Sequence, residues 1–158
     1  AVALPGGIMV MTDELVKLAQ SDDEVIAVLA HELGHIEQRH FMRRLISSAI
    51  VGAVITLLSS EASGLLTALP ATLADLAYSR DMEREADAFA VALLKRNGLS
   101  PEPLATMLER LERAHGEKSS KSDKGGKDGK GGDDIKVPRY LLTHPHTEER
   151  IAAIRAAR

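Results

Sequence analysis

Within AVLAHELGHIEQRH, residues 27–40, His31 and His35 stand one helical turn apart in a run that otherwise reads as an ordinary helix. Positions i and i+4 share a helix face, so both imidazoles point the same way. VIAVLA precedes the pair and Ile36 follows it, which places that face partly inside the protein. Two buried imidazoles without partners are costly. The rest of the chain must therefore fold so as to supply what they need, and this demand restricts the architecture more than any other feature. Both rings can reach a single zinc ion at about 2.0 to 2.1 Å. Glu32 projects about 100° around the helix, too far to be a further ligand but close enough to hold a water as general base.

With no cysteine in 158 residues, there is neither a disulfide framework nor a thiolate nucleophile, and any metal must be held by His, Asp or Glu. A formal charge of -3 and 3% aromatic residues provide neither the electrostatic footprint nor the stacking surfaces of a nucleic-acid binder, so no nucleic-acid partner is expected. The length, with 44% hydrophobic and 27% charged residues, suits one domain, 1–158, around one core. AVALPGGIMVMT lacks a basic region before an apolar stretch and so does not read as a signal peptide. An alternating strand at the first residue reads as a domain excised from a longer chain.

AVAL, PGG and GIMVMT predict two short strands joined by a turn, with Met9 and Met11 directed into the core. Thr12 caps a helix from Asp13 to Ala19, and Ser21 with Glu24 forms a capping box for the helix that carries the histidine pair. Residues 45–74 hold a single charge, Glu61, and are interrupted by Gly52, Gly64 and Pro70. The first apolar part, Leu45 to Leu58, falls short of the roughly 20 residues of a spanning helix. This predicts a buried or site-covering helical insert, with peripheral membrane contact as the second reading. Helical spacing returns from Leu76 to Lys95 and ends at a glycine cap in Asn97-Gly98; another helix starts at Ser100-Pro101 and runs to about Ala114. Residues 117–134, rich in Lys and Gly, have nothing to bury and predict a flexible loop, followed by a short extended piece and a final helix.

A catalytic zinc site needs a third protein ligand and an open fourth position. A metzincin-like continuation is absent, because Gln38 and Phe41 occupy the positions of its glycine and third histidine. His40, placed on a continuous helix, would face away from His31 and reads as structural or exposed. The alternative is a glutamate from a second helix, as in gluzincins. SRDMEREADAFA offers Glu83, with Asp87 one turn later to accept the outer N–H of a ligand histidine. Glu85 is the competing residue, but it points about 200° from Glu83 and has no carboxylate one turn on.

These features, in their order, resemble the HtpX-like zinc metallopeptidases, a family that includes the CAAX prenyl endopeptidases and the mitochondrial Oma proteases. ALPGGIMVMTDEL is similar to the family's strand and turn, HELGH to its metal motif, SRDMEREADAFA to the segment with its glutamate ligand, and THPHTEERI to its C-terminal His-Pro segment. The resemblance implies one Zn2+ held by His31, His35 and Glu83, with Glu32 as general base and acid and Asp87 behind a ligand. It also implies His144 and Arg150 near the metal. His144 would serve as oxyanion donor or as a resting metal ligand, the donor role being favoured, with Tyr140 as a further donor candidate; His146 and His115 are read as bystanders. Integral-membrane relatives carry spanning helices between the two metal helices, where this chain has a shorter segment broken by Pro70.

The expectation is thus a mainly α fold with a small β-sheet (α+β), a gluzincin-type zinc metallopeptidase catalytic domain. It would hydrolyse a protein or peptide substrate lying beside the strand residues Ile8, Met9, Val10 and Met11. The implied setting is quality control or processing at the bacterial cell envelope. The rival reading is a zinc-containing, chaperone-like binding module; Glu32, which a purely structural zinc site does not need, argues against it.

Overall fold

A computed structural model describes residues 1–4, 6–59, 79–122, 144 and 148–157. Strands β1 (Val2–Leu4) and β2 (Ile8–Val10) pair antiparallel, with Val2 opposite Val10, Ala3 opposite Met9 and Leu4 opposite Ile8. Gly6 and Gly7 close the turn at φ 84° and 79°, backbone that residues with a Cβ rarely adopt. Met11 packs against the core as expected, whereas Met9 is 38% exposed. All three residues of β2 are exposed; among the described residues the sheet has two strands.

Helix α1 (Asp13–Leu18) follows Thr12, which occupies the N-cap position without a side-chain hydrogen bond. Asp13 and Glu14 lie in the first turn, where negative charge suits the helix dipole. Helix α2 (Asp22–Glu37) starts at Ser21, whose hydroxyl accepts from the Glu24 N–H at 3.3 Å. Only this half of the expected capping box forms. The Glu24 carboxylate instead accepts from the Gln20 N–H at 2.7 Å and from the Arg110 guanidinium, a stronger, charged donor. Arg110 also donates to the Leu18 carbonyl at 3.3 Å and to Gln20 Oε1 at 3.0 Å, tying the α1–α2 corner to a helix far along the chain.

Helix α2 stops at Glu37, and Arg39 takes a φ of 52° before α3 (His40–Ser59) begins. The continuous helix assumed for His40 is therefore wrong: the Gln38–Arg39 break redirects the chain and buries His40 completely. No helix among the described residues is long and apolar enough to cross a membrane. The second part of the expected insert, residues 60–74, lies outside the described residues.

Helix α4 (Arg80–Arg96) is capped by the Ser79 hydroxyl, which accepts from the Met82 N–H at 3.3 Å. It ends as predicted: Gly98 has φ 73° and the Leu99 N–H returns to the Leu94 carbonyl at 2.9 Å. Helix α5 (Glu102–Ser122) continues past the predicted end at Ala114, so residues 117–122 are helical rather than loop. Glu117, Lys118 and Lys121 are good helix formers, and the first glycine pair comes only at Gly125-Gly126. The remainder of that segment, and Tyr140 and His146, lie outside the described residues, and nothing is described of the His115 side chain. Helix α6 (Glu148–Ala156) completes the order.

Leu104, Met107, Leu108 and Leu111 form a stripe on α5 that is at most 1% exposed. Each such side chain contributes roughly 1.5 to 3 kcal/mol by leaving water. Ala27 and Val28 from α2, Ala90 and Leu94 from α4, and Ile151 and Ile154 from α6 complete the core. The α2–α4 contact positions the site. A Cβ on Gly34 would lie 2.9 Å from both the Cα and the carbonyl oxygen of Ala86, so glycine and alanine at this crossing let the two backbones nearly touch. The histidine face of α2 is thereby pressed against the first two turns of α4.

Candidate metal centre

Helix α2 contributes His31, Glu32 and His35, all at most 1% exposed, and α4 contributes Glu83 and Asp87. His144, just before α6, and Arg150, on its first turn, are also buried. One donor atom from each of His31, His35, Glu83 and His144 lies within 4.8 Å of the others, close enough for one ion to touch all four. The structure thus brings together the residues singled out on α2 and α4 and joins His144 and Arg150 to them.

The outer partners assign the ring protons. His31 Nδ1 is 2.9 Å from Asp87 Oδ1, and a carboxylate only accepts, so the proton lies on Nδ1 and the Nε2 lone pair faces inward. His35 Nε2 stands 3.0 Å from His31 Nε2, and Glu83 oxygens lie 3.4 Å from each of the two nitrogens. Inward lone pairs and a carboxylate repel one another unless a cation sits among them. This donor set, two imidazoles and a carboxylate, fits a zinc-class ion.

Arg150 braces the acidic side, with Nη1 at 2.7 Å from Glu83 Oε2 and Nε and Nη2 at 2.6 and 2.8 Å from the two Asp87 oxygens. His144 Nδ1 is 3.0 Å from Glu83 Oε1, and its Nε2 is 3.3 Å from Glu32 Oε1. Burial pushes His35 down to about 4 and His144 down to about 3, so both rings are neutral near pH 7, as metal ligation requires. For His31 burial acts the same way but is outweighed by Asp87 and Glu83, which raise it to about 9; a metal ion bound at Nε2 would take the place of that second proton. Burial also opposes ionisation of Glu83, yet His144, His31 and His35 hold its carboxyl well below the usual range. For Glu32 burial wins: it lifts the carboxyl to about 7 although His31 and the chain's amino terminus favour the ionised form.

One reading of a single residue changes. Of the two readings of His40, structural or exposed, the exposed one is wrong: its Nδ1 is 2.8 Å from His35 Nδ1 and its Nε2 is 3.0 Å from Glu85 Oε2. Glu85 does point away from Glu83, as its spacing requires, and it finds His40 and Arg43 there. A cavity of ≈ 340 Å³ opens beside His35, lined by residues of the hairpin (Ala3, Leu4, Gly6, Gly7) and of the α2–α3 break (Ile36, Arg39, Phe41, Met42). The apolar residues of β1 and α3 carried no sign of this in the sequence.

A His-Glu-x-x-His helix crossed by a second helix bearing Glu and Asp one turn apart, over a small hairpin, defines a metallopeptidase domain of the gluzincin type. The chain belongs to peptidase family M48, whose family model matches residues 1–158. It is 28% identical over 169 residues to the beta-barrel assembly-enhancing protease of Escherichia coli (strain K12), an alignment covering 98% of this chain and 31% of that protein. It is 27% identical over 157 residues to the mitochondrial metalloendopeptidase OMA1 of Schizosaccharomyces pombe, covering 98% of this chain and 42% of the relative. The metalloprotease YcaL of Escherichia coli (strain K12) is 38% identical over 106 residues, 63% of this chain and 42% of its own. The chain thus spans less than half the length of these relatives.

Proposed function

We propose that this domain is a zinc-dependent endopeptidase in which His31, His35 and Glu83 hold one zinc ion and Glu32 is general base and acid. The observation that carries this reading is the convergence of these donors on one buried point, with Glu32 from the same helix turn lying beside it. Zinc, when bound, supplies a Lewis acid that polarises the scissile carbonyl and makes water a better acid. Glu32, lifted to about 7, takes a proton from the attacking water and hands it to the leaving amine nitrogen. Asp87 holds His31 in the tautomer that turns Nε2 inward, and Arg150 holds both Asp87 and Glu83 in place. An extended substrate would lie along the exposed strand Ile8, Met9 and Val10 and on towards Met11, adding to the sheet edge. A role in protein quality control or processing at the cell envelope is supported by the relative named for beta-barrel assembly; peripheral membrane contact through residues 45–74 rests on their apolar sequence.

The test is bound zinc and cleavage of an unfolded protein, measured before and after chelation. One zinc per chain, with cleavage lost on chelation and regained on adding zinc, is the expected result; cleavage that survives complete removal of metal overturns the reading.

For His144 we favour the resting-ligand role over the donor role. His144 belongs to the donor cluster, with Nδ1 3.5 Å from His31 Nε2 and 3.0 Å from Glu83 Oε1, and its ring is neutral, which suits a fourth ligand that substrate displaces. If the ring fills the open position in about nine molecules of ten, His144→Ala should keep its zinc and cleave roughly 10-fold faster at limiting substrate. A loss of about 10- to 1,000-fold would instead assign His144 as oxyanion donor.

A further inference from the structure

We infer that His40 is a positioning residue for the metal ligand His35, forming with Glu85 a relay that fixes the orientation and tautomer of that ligand. The inference rests on His35 binding metal through Nε2. An imidazole that ligates through Nε2 carries its proton on Nδ1. His35 Nδ1 lies 2.8 Å from His40 Nδ1, so the His40 nitrogen must accept there and its own proton sits on Nε2. That Nε2 is 3.0 Å from Glu85 Oε2, an acceptor held ionised by Arg43, whose Nη1 donates to the same oxygen at 2.6 Å. Every proton in the chain from His35 to Glu85 then has one position.

The two ligand histidines are thus backed differently. His31 donates directly to a buried carboxylate, which Arg150 neutralises. His35 reaches its carboxylate through a second imidazole, because Glu85 sits on the outer side of α4 with its side chain 40% exposed. The Gln38–Arg39 break makes this possible. Arg39, at a φ of 52°, is a non-glycine residue in the left-handed region, a conformation that the surrounding structure must hold in place. It turns the chain so that His40, fully buried, meets the outer nitrogen of His35 rather than solvent.

The test compares zinc affinity, by competition with a chelator, and thermal unfolding of the metal-free protein for wild type, His35→Ala, His40→Leu and His40→Asn. Leucine keeps the bulk and removes the acceptor; the asparagine carbonyl restores an acceptor near the Nδ1 position. His40→Leu should bind zinc about 10- to 100-fold more weakly, as loss of a partner behind a ligand does. His40→Asn should recover most of that affinity, while the two metal-free variants unfold at the same temperature. Leucine and asparagine variants with equal zinc affinity, or a leucine variant that binds like wild type, would overturn the relay while His35→Ala still lost its zinc. If His35→Ala itself bound zinc like wild type, the ligand assignment would fall, and the relay with it.

Discussion

Glu32→Gln is expected to fold, to bind one zinc with wild-type affinity, and to cleave an unfolded protein at least about 100-fold more slowly, the scale of a lost general base. Glutamine keeps the volume and the polarity of the side chain, so the fully buried site at residue 32 is not emptied. It cannot take up a proton. Burial opposes ionisation of both acids, but at Glu32 it prevails and lifts the carboxyl to about 7, whereas Glu83 is held ionised by its histidine neighbours. That contrast is what a base and a ligand each require. Folding should not suffer, because a neutral amide loses less than a carboxylate on leaving water. Wild-type turnover by a zinc-loaded Glu32→Gln protein would refute the mechanism, whatever the ligands prove to be.

Glu83→Ala is expected to lose zinc by more than the roughly 10- to 100-fold typical of a residue behind a ligand. Its carboxylate faces both inward ring nitrogens at 3.4 Å and is the only acid in the four-residue donor cluster. Removal also strips Arg150, 3% exposed, of a carboxylate partner, so the alanine variant should be less stable as well. Glu83→Gln separates the effects, since it keeps an oxygen for Arg150 while losing the charge that zinc needs. Glu85→Ala serves as the control and should still take up one zinc when metal is in excess. Equal zinc loss in the Glu83 and Glu85 variants, by direct metal analysis of the purified proteins, would reject Glu83 as the ligand.

Much of this centre follows from local spacing. His31 and His35, and Glu83 and Asp87, are pairs one helical turn apart, and a regular helix fixes their common face without any knowledge of the fold. The Ser79 and Ser21 caps, the Gly98 terminus and the glycine turn of the hairpin are equally local, since each depends on a backbone preference within a few residues. The family resemblance then pointed to His144 and Arg150, which spacing could not have done.

Tertiary structure decided the rest, because it depends on contacts between segments far apart in the chain. The α2–α4 approach rests on Gly34 against Ala86, and in the sequence that glycine is only a weak helix former inside a motif. The break at Gln38–Arg39 involves neither glycine nor proline, so periodicity extends straight through it and sends His40 to the wrong face. Once the helix bends there, His40 meets His35, and Glu85, rejected as a ligand by its angle, becomes the acceptor behind it. Spacing along a helix specified which residues could hold a metal; only packing between helices could specify which residues hold them.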